Sequence, residues 1–368
     1  MNLTGPPPDL EVIVAGTPFV GWTGVSIERS LDALAHSFSV QASTRWVLDE
    51  ESGISLRIDQ GDDVEVWWGD ALLLTGWVDE VTEDIDAENS TVTISGRSRA
   101  GDLCDCSAAP KTWRNTPGKK IAEALLAPYG IGLVIPPGLD LSAPVRKVAS
   151  DGDDTVQEVL ESLGEQLGLR LTSQPNGDVV FTQAGLTKAQ RSLLYGQNIR
   201  KVRRSQNATE RYSDYIFRTQ RSGTANTEIS GDGAAKVAVS VPDAGVLRHR
   251  PLRVQAKRQG SVKELQRRAE WERNTRAGRS DTLTVDYYDG DDTWRCGPGP
   301  QDVWTPNQRV FIDVPPFDLR EELLITSVSL GFGEEGYTTS LQLTHPNAYL
   351  PDKPPLAKKG KKKGGGNW

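Results

Sequence analysis

Gly61-Asp62-Asp63-Val64-Glu65-Val66-Trp67-Trp68-Gly69-Asp70-Ala71-Leu72-Leu73-Leu74-Thr75-Gly76-Trp77-Val78 is the stretch that sets the fold class. Gly61-Asp62-Asp63 is a turn, Val64 to Trp68 alternates at period two, and Gly69-Asp70 turns the chain into Leu72 to Val78. Short alternating runs separated by glycine and aspartate turns are strand and hairpin signals. The same pattern extends upstream through Val12-Ile13-Val14, Val25 to Arg29 and Ser37 to Val40, and downstream through Thr91 to Arg97 after an expected loop at Asp84 to Ser90. Strands this closely spaced predict a small barrel or sandwich over residues 1–108.

The period then changes. Thr116-Pro117 supplies a cap and a first-turn proline for a helix carrying Ile121, Ala124 and Leu125. Thr155-Val156-Gln157-Glu158 is a capping box. Val156, Val159, Leu160, Leu163 and Leu167 form the apolar stripe behind it, and Gly168 stops the helix. Asn176-Gly177 between Leu169-Thr172 and Asp178-Phe181 marks a hairpin. Residues 109–190 therefore read as a compact α+β module.

Strands return in residues 191–350, at Tyr212 to Arg218, Thr282 to Tyr288, Arg309 to Val314, Leu323 to Leu330 and Thr338 to Leu343. A helix over Ser261 to Arg276 interrupts them, capped by Ser261 and lined by Val262, Leu265 and Ala269. Gly223 to Gly245 reads as a polar insertion, and 351–368, which ends in proline, lysine and glycine, as a disordered basic tail. The expected architecture is mainly β with an α+β insert: two small β-barrels linked by a compact module. A helix-bearing β region near each end hints at an internal duplication, although the two sequences are not visibly alike.

Chemistry is sparse. His36, His249 and His345 are the only histidines, and none has a serine, cysteine or carboxylate partner at a catalytic spacing. Each is expected to be solvent-facing or locally hydrogen-bonded. Cys104-Asp105-Cys106 and Cys296 provide no disulfide framework and no set of metal ligands, in keeping with a reducing compartment. Asp151-Gly152-Asp153-Asp154 fails the calcium-loop pattern because Val156 stands at its sixth position, and it is read as acid at a helix start. Asp289-Gly290-Asp291-Asp292 fails as well and is read as a turn. Gly297-Pro298-Gly299-Pro300 has no following helix to cradle phosphate, and no pair among the 50 acidic residues stands out for glycan cleavage. No catalytic, cofactor-binding or metal residue is assigned.

The net charge of −8, from 42 basic and 50 acidic residues, argues against a general nucleic-acid binder. The charge is uneven, acidic up to about residue 100 and arginine-rich from Arg200 to Arg279. No apolar run is long enough to span a membrane, and the first residues lack the pattern of a signal peptide. The ten tryptophans are expected chiefly in the core, with some at a subunit interface.

Gly61 to Asp79, running on to Ser95-Gly96-Arg97-Ser98-Arg99-Ala100-Gly101-Asp102-Leu103-Cys104-Asp105-Cys106-Ser107-Ala108, resembles the baseplate hub proteins of Mu-like contractile-tailed phages, related to the late-control family. Trp304-Thr305-Pro306-Asn307, Leu323 to Val328 and His345-Pro346-Asn347-Ala348-Tyr349 resemble the end of the same family. The resemblance implies a non-enzymatic homotrimer whose two tube-like barrels per chain form a ring. That ring adapts a sixfold tail tube to a threefold central spike and lines a passage for DNA in transit. It also implies contacts with the tube protein, the spike and other baseplate proteins, a place in the virion tail, synthesis in the host cytoplasm, and no membrane insertion by this chain. Three other readings are a hub-like component of a phage-tail bacteriocin or injection machine, a tail-associated cell-wall hydrolase, and a DNA-binding protein led by the lysine tail that begins at Lys358.

Overall fold

A computed structural model describes residues 9–43, 58–85, 90–222, 234–255, 262–290 and 292–350. The N-terminal strands are β1 (Leu10–Val14), β2 (Thr17–Phe19), β3 (Trp22–Ser30), β4 (Ser37–Ser43), β5 (Asp63–Trp68), β6 (Ala71–Ile85) and β7 (Ser90–Ser98). Val64, Val66 and Trp68 point inward from β5 while Asp63, Glu65 and Trp67 do not, as period two requires. Gly69 makes the tight connection to β6 at φ 53°, a conformation in which a Cβ is costly. The expected loop at Asp84 to Ser90 is instead strand on both sides of residues 86–89, which lie outside the described set: β6 runs to Ile85 and β7 begins at Ser90.

Next comes the α+β module: α1 (Gly101–Asp105), β8 (Lys111–Pro117), α2 (Gly118–Leu126), β9 (Leu133–Val134), β10 (Pro144–Ser150), α3 (Val156–Leu167), β11 (Arg170–Ser173) and β12 (Val179–Thr182). Helix α3 carries the anticipated capping box. Glu158 N donates to Thr155 Oγ1 at 3.2 Å and Thr155 N donates to Glu158 Oε2 at 2.8 Å. Thr155→Ala is expected to lower stability by about 1 kcal/mol in urea denaturation, since one orphan helix donor loses its acceptor. The β11–β12 hairpin turns at Gly177, φ 86°, as its Asn-Gly signal predicts. Helix α2 departs from expectation. Its cap position is Pro117 with no side-chain bond, because Thr116 belongs to β8 and donates its hydroxyl to Arg114 O at 3.1 Å.

The remaining strands are β13 (Thr187–Lys188), β14 (Leu193–Leu194), β15 (Ile199–Gln206), β16 (Asp214–Ser222), β17 (Ala234–Pro242) and β18 (Pro251–Gln255). After helix α4 (Val262–Arg279) follow β19 (Asp281–Tyr287), β20 (Gln308–Val314), β21 (Leu319–Gly333) and β22 (Gly336–Thr344). Strands β16, β17 and β18 form a separate three-stranded sheet. Its small core of Tyr215, Phe217 and Val241 packs against Leu265 and Ala269 of α4. The stretch read as a polar insertion thus contributes a strand, β17, paired along β16 from Asp214↔Pro242 to Ser222↔Ala234. Residues 223–233 of that stretch, the capping Ser261 and the tail 351–368 lie outside the described residues. Val262 is 53% exposed and does not join the lining of the helix.

Fourteen strands form one sheet, with the path β15-β19-β22-β21-β3-β4-β7-β6-β5-β1-β2 and β20 beside β21. Two closed barrels were expected. Among the described residues neither half closes by strand pairing. The halves join edge to edge instead, through antiparallel β3 and β21, from Ser327↔Ser30 to Phe332↔Val25. They also share one core, in which Trp68 of the first half lies edge-on to Trp294 of the second at 5.5 Å.

The path contains a repeat. The antiparallel order β3-β4-β7-β6-β5 recurs as β15-β19-β22-β21-β20, with the strands in the same chain order both times. Two irregularities recur as well. The β3–β4 ladder slips between Trp22 and Gly24 as β15–β19 slips between Ile199 and Lys201, and β6–β7 slips between Val78 and Glu80 as β21–β22 slips between Ile325 and Ser327. Bulges fix where a strand bends and twists, so matched bulges mean matched backbones. The duplication is real at the level of pairing, although the side chains do not show it.

Candidate assembly interface

The residues singled out for chemistry do not converge. His36 is buried between the first half of the sheet and the module. Its Nε2 lies 3.2 Å from Ser173 O, its N donates to Ser98 Oγ at 3.0 Å, and its Nδ1 has no partner among the described residues. Burial and the neighbouring Arg29 charge pull its pKa down to about 4, against the raising effect of the Ser173 contact. His36 is therefore a packed, neutral histidine and not a solvent-facing one. His249 and His345 are exposed, and His345 Nδ1 accepts from Asn347 N at 3.2 Å. Cys104 is half-buried, Cys106 exposed and Cys296 buried. Burial pushes the Cys296 thiol up to about 11, which leaves it protonated and inert.

The two acidic clusters serve the fold. Asp151 to Asp154 lead directly into the capped start of α3. Asp289 and Asp292 both hold Arg191, Asp292 at 3.1 Å. Asp302, beside the Gly-Pro-Gly-Pro run, accepts from Gly299 N at 2.8 Å. Among the described residues no group of three or more His, Cys, Asp or Glu is placed to hold a metal ion, and no helix is long and apolar enough to cross a membrane.

Among the described residues the fold presents two open strand edges of opposite charge. Strand β15 pairs only with β19 among the described residues, and it exposes Arg200, Lys201 and Arg203. Its Arg204 is half-buried and forked onto Asp281 at 2.9 and 2.5 Å, which holds the guanidinium charged and the carboxyl of Asp281 below its usual range. The second edge is the far half of β6. Strand β5 covers β6 only as far as Trp77, and beyond it Asp79, Glu80, Thr82, Glu83, Asp84 and Ile85 are exposed. Charged edges resist unspecific strand addition. The other end of the path, β2, is only Thr17-Pro18-Phe19 and is blunted by its proline.

Comparison with known proteins places this architecture. Residues 9–98 match the family described as Mu phage baseplate assembly protein GpP-like, N-terminal, and residues 100–183 match baseplate hub protein gp44-like, second domain. Residues 261–352 match Mu phage baseplate assembly protein GpP, fourth domain. Baseplate hub protein gp44 of Escherichia phage Mu is 27% identical over 342 residues, covering 91% of this chain and 87% of that protein. The chain belongs to the baseplate hub family of Mu-like phage tails. The crystal structure of the 43 kDa tail protein of prophage MuSo2 from Shewanella oneidensis superposes on this hub with a TM-score of 0.78 at 25% identity, covering 93% of this chain and 99% of that one. A tail protein from Neisseria meningitidis MC58 shares the fold at a TM-score of 0.75 and 20% identity, over 94% and 98% of the two chains.

The matched regions follow the secondary structure of the hub. The first matched region ends with β7 and the second runs from α1 to β12. Of the hub's tryptophans, Trp22, Trp68, Trp113, Trp294 and Trp304 are buried, which matches a mainly core role. The open edge at β15 was not legible. Ile199-Arg200-Lys201-Val202-Arg203-Arg204-Ser205-Gln206 has apolar residues only at its first and fourth positions, too few to signal a strand.

Proposed function

We propose that this chain is a non-enzymatic baseplate hub that works as a homotrimer, adapting a sixfold tail tube to a threefold central spike and lining the passage for DNA. The observation that carries the reading is the repeated five-strand unit. A threefold assembly can meet a sixfold tube only if each chain offers two equivalent docking surfaces. The units β3 to β7 and β15 to β22 are such a pair, and three chains supply six of them. The edge-to-edge join of the two units within one chain is the kind of contact a ring requires at every step. An overall charge of −8 suits a passage that must let phosphate slide without holding it. The three-stranded sheet with α4 and the module built on α2 and α3 flank the repeats and are the natural seats for the spike and other baseplate proteins.

Electron microscopy of the purified chain tests this reading. The expected particle is a threefold ring with a central hole and a quasi-sixfold inner wall. Solid particles, or rings of another order, would rule it out.

A further inference from the structure

The repeat makes the two open edges of opposite charge equivalent to a junction already formed inside the chain. Within the chain, the far half of β21 pairs with β3. By the matched bulges, β21 corresponds to β6 and β3 corresponds to β15. The far half of β6 and the strand β15 are thus the two halves of the same junction, one at each end of the repeated pair, and neither has its partner strand among the described residues. We infer that they pair with each other between copies, β6 of one chain taking β15 of the next as an antiparallel neighbour. This interface rests on the ring reading above and deepens it by naming the surfaces.

The internal junction also sets the register. Phe332↔Val25 corresponds to Ile85↔Val202, Gly331↔Ser26 to Asp84↔Arg203, and Leu330↔Ile27 to Glu83↔Arg204. This alignment, derived from ladder geometry alone, brings two acids opposite two arginines and gives Ile85, 71% exposed in the single chain, an apolar partner. Directly opposite residues on antiparallel strands share a face at contact distance, where opposite charges attract and like charges repel. Two β15 edges facing each other would oppose arginine with arginine, and two β6 edges acid with acid. The charges therefore reject symmetric dimers and select the head-to-tail contact that builds rings. Inside the chain the same position is the buried pair Leu330–Ile27. Between chains it is ionic, as an edge that must stay soluble before assembly requires.

Paired cysteines test the register. In a Cys106→Ser background, Ile85→Cys combined with Val202→Cys is expected under mild oxidation to give reducible species of two and three chains. Each single variant gives none alone, and mixing the two gives only the two-chain species. Asp84→Arg is expected to reduce assembled mass in light scattering at low salt, with Asp84→Arg plus Arg203→Asp restoring it. An unmodified chain that assembles while the paired cysteines stay unlinked would overturn this edge and leave the ring standing. A chain that remains monomeric by light scattering at every concentration would overturn the ring along with it.

Discussion

Trp294→Ala is expected to cost about 4 kcal/mol, within the range for removing a fully buried tryptophan, and to broaden thermal unfolding into two steps. Trp294 is fully buried. It lies on the far side of the join from β5, whose Trp68 meets its ring at 5.5 Å, while Tyr337 of β22 meets it at 4.9 Å. Its Nε1 donates to Thr338 O at 2.9 Å. Each edge-to-face contact adds about 1 kcal/mol beyond area burial, and both disappear with the ring. The cavity would open where the first half of the sheet packs on the second, so the halves should lose their mutual support. Trp294→Phe keeps a ring and most of the packing and should cost roughly half as much. Calorimetry and urea denaturation provide the check. A loss below about 1 kcal/mol, the level of an ordinary surface change, would mean that the two halves do not depend on this contact.

That shared core is where reading the sequence ran out. The β5–β6 hairpin is legible because Gly69-Asp70 and strict alternation act over neighbouring residues, and α3 is legible because Thr155 and Glu158 cap within one turn. Alternation says which face of a strand is buried and nothing about which strand lies beside it, so two open repeats joined by β3 and β21 read as two closed barrels. The three-stranded sheet was hidden for another reason. Strand β17 follows a glycine-rich polar run, and its partner β16 holds it by backbone bonds that carry no compositional mark. The repeat itself is stored in bulges and ladder order. Gly96 stands where Leu343 stands in the second copy, and a glycine and a leucine can occupy equivalent ladder positions when their surroundings differ: a Cβ on Gly96 would lie 1.9 Å from Trp77 O. The candidate surfaces, β15 and the far half of β6, were visible only as a basic stretch and an acidic one. Which chain edges those charges occupy is a property of the pairing, not of the local sequence.

His36 makes stability depend on acidity in a way a single substitution should remove. Its ring is buried against Ser173 O, and among the described residues its Nδ1 has no acceptor to receive a proton's hydrogen bond. Protonation would therefore place an unpaired charge beside the buried Arg29 guanidinium, whose Nη2 donates to Leu73 O and whose Nε has no partner among the described residues. These effects hold the folded pKa near 4, against 6.5 for the ordinary side chain. The sign follows directly: between those values the unfolded chain binds the proton and the folded chain does not, so acid favours unfolding. This contribution is complete above pH 6.5 and falls away as the pH drops towards 4. At 1.36 kcal/mol per pH unit, it totals about 3 kcal/mol, of which about 2 kcal/mol is lost by pH 5. His36→Gln keeps an amide donor for Ser173 O and cannot titrate. It should be about 1 kcal/mol less stable than the unmodified chain at pH 7 and no less stable at pH 5. Urea denaturation of both proteins at pH 7, 6 and 5 reads the difference directly. Parallel loss of stability in the two proteins would show that carboxylates such as Asp243 and Asp281, held low by their arginines, account for the whole acid response and that His36 contributes none of it.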